Sequence, residues 1–98
     1  MDRESVLKKL SQHRHLLRGH GVKDIHLFGS VARGAAGVGS DVDLLVEFEP
    51  SAHIGMFEFP RLRRELSQLL GCNVDLATPN ALHKAMREDI LREAIRAA

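Results

Sequence analysis

The sequence predicts an α/β fold in which a three-stranded sheet is flanked by helices, in the order αβαβαβα with a short second helix. Three observations predict it. Apolar residues recur at helical spacing near both ends of the chain and again in its second half. Between these stretches lie three short runs rich in Val, Ile and Leu, at residues 24–28, 42–48 and 73–77. Glycines punctuate the junctions, four of the eight falling between Gly29 and Gly39.

Taken in order, residues 2–18 are expected to form one helix, because Val6, Leu7, Leu10 and Leu17 fall on a single stripe. Glu4 and Lys8 pair at i, i+4 on its outer side, and Gly19 and Gly21 end it. Asp24 to Phe28 follows as a strand with Ile25 and Leu27 on one face. Ser30 to Arg33 makes a single helical turn before Gly34. Val42 to Phe48 is the strongest strand: Val42, Leu44, Leu45 and Val46 are almost continuous, as in a strand covered on both faces at its far end.

Glu49 to Gly55 reads as a loop. The next helix carries Leu62, Leu66, Leu69 and Leu70 inward and closes at Gly71. Pro60 is tolerated only in its first turn, so the helix starts no earlier than about Met56. Asn73 to Ala77 is the third strand, with Val74 and Leu76 facing away from Asp75. Asn80 suits the N-cap of a last helix running to Arg96, whose apolar side is Leu82, Met86, Ile90, Leu91, Ala94 and Ile95. With no repeat, linker or low-complexity segment, residues 1–98 read as a single domain.

Composition narrows the class. Of 98 residues, 44% are hydrophobic and 28% charged, so a folded chain is expected. Tyr and Trp are absent and Phe occurs four times, which leaves an aliphatic core. The single Cys72 excludes a disulfide scaffold or a multi-cysteine zinc site and fits a reducing compartment. No apolar run approaches the roughly 18 residues of a membrane span, and Met1-Asp2-Arg3-Glu4 does not open a signal peptide. A cytoplasmic location is the expectation.

The chemistry concentrates between Leu27 and Val46. Asp41 and Asp43, two apart on a predicted strand, point to one face and repel unless cations lie between them. Magnesium prefers oxygen ligands and is commonly held by one or two carboxylates with substrate phosphates. Two such ions, roughly 3.5–4 Å apart, serve in-line displacement at phosphorus. Asp75 would complete a triad if the third strand lies beside the second, and would help remove a proton from an attacking hydroxyl. Gly29 lets backbone approach a phosphate closely, the turn after it offers free N–H groups, and Ser30 adds a hydroxyl. Arg33, one turn on, can reach phosphate oxygens. The same residues also suit a solvated strand start and a plain strand-to-helix turn.

Other motifs fail. Ala35-Ala36 stands where a P-loop has Lys-Ser/Thr, and no Gly-x-Gly-x-x-Gly occurs. Ser30 lacks the frame of a hydrolase elbow, and Leu45 interrupts a calcium loop. His13-x-His15 points its two rings to different sides of a helix, so the six histidines suit surfaces rather than a metal site. Cys72 suits a small buried side chain. Arg61, Arg63 and Arg64, like Arg87, Arg92 and Arg96, are interspersed with Glu58, Glu65, Glu88 and Glu93, which describes solvated helix faces. Without an aromatic platform they argue against direct nucleic-acid binding. Met56-Phe57-x-Phe59 either packs over the sheet edge or faces a partner.

Gly29-Ser30, ten residues, then Asp41-Val42-Asp43, with Asp75 on a later strand, resembles the nucleotidyltransferase superfamily that includes DNA polymerase beta. The fuller strings Phe-Gly-Ser-Val-Ala-Arg-Gly and Ser-Asp-Val-Asp-Leu-Leu-Val are similar to its minimal (MNT) branch. The likeness continues through Gly71-Cys-Asn-Val-Asp-Leu-Ala-Thr-Pro and the closing Arg87-Glu-Asp-Ile-Leu-Arg-Glu-Ala, and so covers nearly the whole chain. It implies a mixed three-stranded sheet, with Asp41, Asp43 and Asp75 as ligands of magnesium and Gly29 with Ser30 as the triphosphate grip. It also implies a HEPN-domain ribonuclease toxin as partner, silenced when the antitoxin transfers AMP from ATP to one of its tyrosines. A hetero-oligomer is then expected. Two alternatives stand beside this: a non-catalytic antitoxin that blocks the toxin by binding, and nucleotidyl transfer to a small molecule or RNA end.

Overall fold

The computed structural model describes residues 2–34, 41–55, 57–79, 82 and 84–98, and begins with two helices where the sequence predicts one. The elements are α1 (Arg3–Gln12), α2 (Arg14–Gly19), β1 (Val22–Phe28), α3 (Gly29–Ala32), β2 (Val42–Phe48), α4 (Glu58–Leu70), β3 (Val74–Ala77), α5 (Lys84–Glu93) and β4 (Ile95–Arg96). The N-cap of α1 is Asp2, whose carboxylate accepts the backbone N–H of Ser5 at 3.0 Å and is held below its ordinary pKa by the Ser5 side chain and by that backbone N–H, in that order. The helix stops at His13, where Nδ1 lies 2.8 Å from the Lys9 carbonyl oxygen, and α2 restarts at once. The break lets α1 pack on α4 and α2 on β1.

The sheet has four strands in the order β3-β2-β1-β4. β1 runs antiparallel to β2 and β4, whereas β2 and β3 are parallel, with α4 as the crossover that a parallel pair requires. The fourth strand corrects the expected three. The last helix ends at Glu93 rather than Arg96, and Ile95 and Arg96 pair with Leu27 and His26. The physical reason is the open edge of β1, whose N–H and C=O groups would otherwise lack partners. Beyond β4 the same edge is served by Ala97 N–H donating to the Ile25 carbonyl at 2.9 Å and Ile25 N–H donating to Ala98 at 3.2 Å. Arg96 also reaches Asp24 at 2.7 Å. β1 begins at Val22, two residues earlier than expected, and its register is irregular between Val22 and Asp24.

Alternation along the strands divides the sheet into two faces. Val42, Leu44 and Val46 of β2 turn to the core, where they join Val6 and Leu10 of α1 and Leu62, Leu66 and Leu70 of α4. α4 closes at Gly71, whose φ of +72° is the left-handed conformation that suits glycine. The opposite face carries His26, Phe28, Asp43 and Asp75 at half-buried or exposed positions, with Leu45 buried. Among the described residues no helix is long and apolar enough to cross a membrane.

Packing sorts two apolar stretches, the first left open by the sequence and the second expected to be an apolar helix side. Phe59 packs edge-on against Phe48, ring centroids 6.4 Å apart, while Phe57 is 75% exposed. The apolar side of the last helix is not a core face: α5 buries no residue fully, and Met86 and Leu91 are 58% and 49% exposed. The expected N-cap Asn80, like Met56 and residues 35–40, lies outside the described residues.

Leu66 shows no exposed surface, so Leu66→Ala is expected to cost about 2–5 kcal/mol, as removal of a buried leucine side chain does. Urea unfolding of the two proteins checks this through the shift in midpoint at constant slope.

Candidate active site

The site begins where β1 ends. In the antiparallel register Phe28 lies opposite Asp43, so the next residue, Gly29, turns the chain directly over that aspartate. In the parallel register Asp43 is the partner of Asp75. Register partners in a parallel pair project to the same face, which sets these two carboxylates side by side. Asp43 is half-buried and Asp75 exposed. Asp41, expected on the strand, stands one residue before β2 and is exposed.

Gly29 is required here on two counts. Its φ of +75° is a conformation that other residues rarely adopt. A Cβ placed on it would collide with the Asp43 carboxylate, lying 3.0 Å from Cγ and 3.2 Å from Cβ. Only a residue without a side chain brings the turn this close to the aspartate. The turn then enters α3, whose second residue is Ser30, half-buried. First-turn N–H groups of a helix have no partner within it and are open to an anion.

Asp43 holds its proton more tightly than an ordinary carboxyl: burial contributes most, followed by the charges of Asp75 and Asp41, with Arg33 opposing them. Among the described residues, no three His, Cys, Asp or Glu side chains converge tightly enough to close around one ion. The arrangement is therefore an adjacent pair, Asp43 and Asp75, with Asp41 near enough for its charge to be felt at Asp43. These donors are all carboxylate oxygens, a set that suits a hard divalent cation such as magnesium. A cation there would relieve the repulsion that raises Asp43.

Arg33 caps the C-terminal end of α3, and its Nη1 donates to Oε2 of Glu93 at 3.1 Å. Sequence reasoning placed Arg33 at a phosphate or in solvent and missed Glu93, which lies 60 residues further on. Nothing local signals that pair, since only the return of the chain into β4 brings the end of α5 beside α3. His20, half-buried, pairs with Glu65 of α4, away from Asp43 and Asp75. Cys72 is half-buried against the core.

A Gly-Ser turn laid over one of two in-register aspartates is an arrangement that can take a phosphate chain and its accompanying cations. The nucleotidyltransferase domain family matches residues 4–97, and the chain belongs to that family. The protein adenylyltransferase MntA of Thermococcus cleftensis is 39% identical over 95 residues, covering 94% of this chain and 92% of the relative. A solved structure described as a minimal nucleotidyltransferase, provisionally so assigned, is 40% identical and superimposes with a TM-score of 0.81, covering 97% of this chain and 95% of that one. Within the family the chain is a minimal nucleotidyltransferase. A tri-AMPylated HEPN toxin of Shewanella oneidensis in complex with an MNT antitoxin gives a TM-score of 0.67 at 18% identity, over 95% of this chain and 71% of that one. That last likeness is one of fold.

Proposed function

We propose that this nucleotidyltransferase is an antitoxin enzyme that moves AMP from ATP to a tyrosine hydroxyl of a HEPN-domain toxin and thereby silences it. The observation that carries the reading is the in-register pair Asp43–Asp75 beneath the Gly29-Ser30 turn. The name of the Thermococcus relative and the AMPylated toxin in the Shewanella complex support transfer of AMP to a protein.

The reaction is a displacement at the α-phosphorus of ATP. The acceptor oxygen forms a bond to phosphorus, the bond from phosphorus to the oxygen bridging to the β-phosphate breaks, and pyrophosphate leaves. Asp41, Asp43 and Asp75 would hold magnesium, which supplies neutralisation of the phosphate charge when bound. Gly29 admits the triphosphate against the backbone, Ser30 donates its hydroxyl hydrogen to a phosphate oxygen, and Arg33 contributes positive charge on the same side. Asp75 is more open than Asp43 and so accessible to an acceptor hydroxyl, whose proton it would help remove. Phe57, Met86 and Leu91 are, with Leu16, exposed apolar side chains among the described residues, and a partner protein can cover them.

The purified chain, incubated with its cognate toxin, magnesium and ATP labelled at the α-phosphate, is expected to transfer label to the toxin and to no other component. Replacing the toxin with RNA or small-molecule acceptors should give none. Label on an RNA end, or none on a toxin that forms the complex, contradicts the proposal.

A further inference from the structure

The ion pair between Arg33 and Glu93 is unusual in what it connects. Both side chains are largely open to solvent, 53% and 41% exposed, and exposed pairs of this kind contribute little to folding. Each end is nevertheless pinned by backbone. Arg33 N–H donates to the Gly29 carbonyl at 3.1 Å, closing the turn over Asp43, and the Arg3 guanidinium donates to the neighbouring Ala32 carbonyl at 3.2 Å. Glu93 is the last residue of α5; Ala94 N–H donates back to Ile90 at 2.9 Å, and Ile95 is already in register with Leu27. Leu27 is two residues before Gly29. The C-terminal strand thus anchors a carboxylate beside the Gly-Ser turn, and that carboxylate takes the guanidinium through one nitrogen.

We infer that Glu93 is a positioning residue, which binds one edge of the Arg33 guanidinium and so fixes the direction in which its remaining N–H groups meet the triphosphate. Arginine carries five donors in a rigid fork, so a carboxylate on one nitrogen leaves donors for phosphate oxygens. Holding a long side chain in place beforehand removes much of the ordering cost of binding. Arg33 stands one helical turn after Gly29, its backbone N–H on the Gly29 carbonyl at 3.1 Å, so it follows directly on the Gly-Ser turn. The inference rests on the nucleotidyl-transfer reading above.

Binding of AMP-PNP in the presence of magnesium, followed by calorimetry without any acceptor, tests it. Glu93→Gln and Glu93→Ala should each weaken binding about tenfold, equivalent to about 1.4 kcal/mol, with the midpoint of thermal unfolding unchanged within about 2 °C. Arg33→Ala should weaken it at least as much, and adding Glu93→Gln to Arg33→Ala should weaken it no further. Wild-type or tighter binding by Glu93→Gln overturns the inference, because Glu93 would then be inert or a competitor of phosphate. Equal further weakening in the double variant, or weakening that tracks a loss of thermal stability, also overturns it. Absence of AMP-PNP binding by the wild-type protein overturns the nucleotide reading itself.

Discussion

Asp43→Asn is expected to lower the rate of AMP transfer by about 1,000-fold or more, and at the same time to make the metal-free protein more resistant to heat. The two effects have one source. Asp43 is half-buried, lies beside Asp75 and feels Asp41, and its pKa is raised by burial and by those charges in that order. In the folded chain it therefore binds its proton at higher pH than in the unfolded chain. By linkage, the stability of the wild type falls as pH rises through and above the ordinary carboxylate range, and the cost is absent below it. Asparagine carries no charge and escapes the cost. Thermal midpoints measured from about pH 4 to pH 7 should separate progressively in favour of the variant. Magnesium with AMP-PNP should raise the wild-type midpoint and leave that of the variant nearly unmoved. A metal-free variant less stable than the wild type at neutral pH contradicts this account of the site.

Gly29→Ala is expected to lower kcat/KM for ATP by about 100-fold, because displacement of reacting groups by roughly an ångström has effects of that size. The added methyl group meets the Asp43 carboxylate, and relieving the collision turns that side chain away from Asp75. The φ of +75° adds strain of about 1 kcal/mol or more to the folded state. Gly34→Ala is the matched control. Gly34 has a φ of +71°, yet among the described residues nothing lies within 4 Å of a Cβ placed there. That variant should lose a comparable amount of stability and keep most of its activity. Steady-state kinetics and urea unfolding on both proteins separate the collision from the strain. Equal loss of activity in the two variants would mean that backbone strain alone, and not contact with Asp43, governs the turn.

Where the signal is local, the sequence was a sound guide. The spacing of Leu62, Leu66 and Leu70 with Gly71 defines α4 and its end. The run from Val42 to Val46 defines a strand whose second face is covered only further along, at Leu45, and is more open at Asp43. Val74 and Leu76 face away from Asp75 as strand alternation requires. The adjacency of Asp43 and Asp75 was conditional on the third strand lying beside the second, which the parallel register provides. What was hidden depends on partners far along the chain. Ile95 and Arg96 carry apolar and charged residues that continue a helix equally well, and the open edge of β1 decides for a strand. The break at His13 follows from α1 and α2 packing on different elements. Met86 and Leu91 keep helical spacing, so periodicity cannot tell a core face from one left exposed. The link from Glu93 to Arg33 depends on the same strand that periodicity concealed.

The central claim, that this chain silences its partner by covalent transfer and not by contact alone, is tested most directly by the intact mass of a co-expressed HEPN toxin. Wild-type chain should add whole AMP units to the toxin, and Asp43→Asn should bind the toxin while leaving its mass unchanged and its activity unsuppressed. An unmodified toxin that wild type and variant neutralise equally well would contradict the claim and leave steric binding as the mode of action.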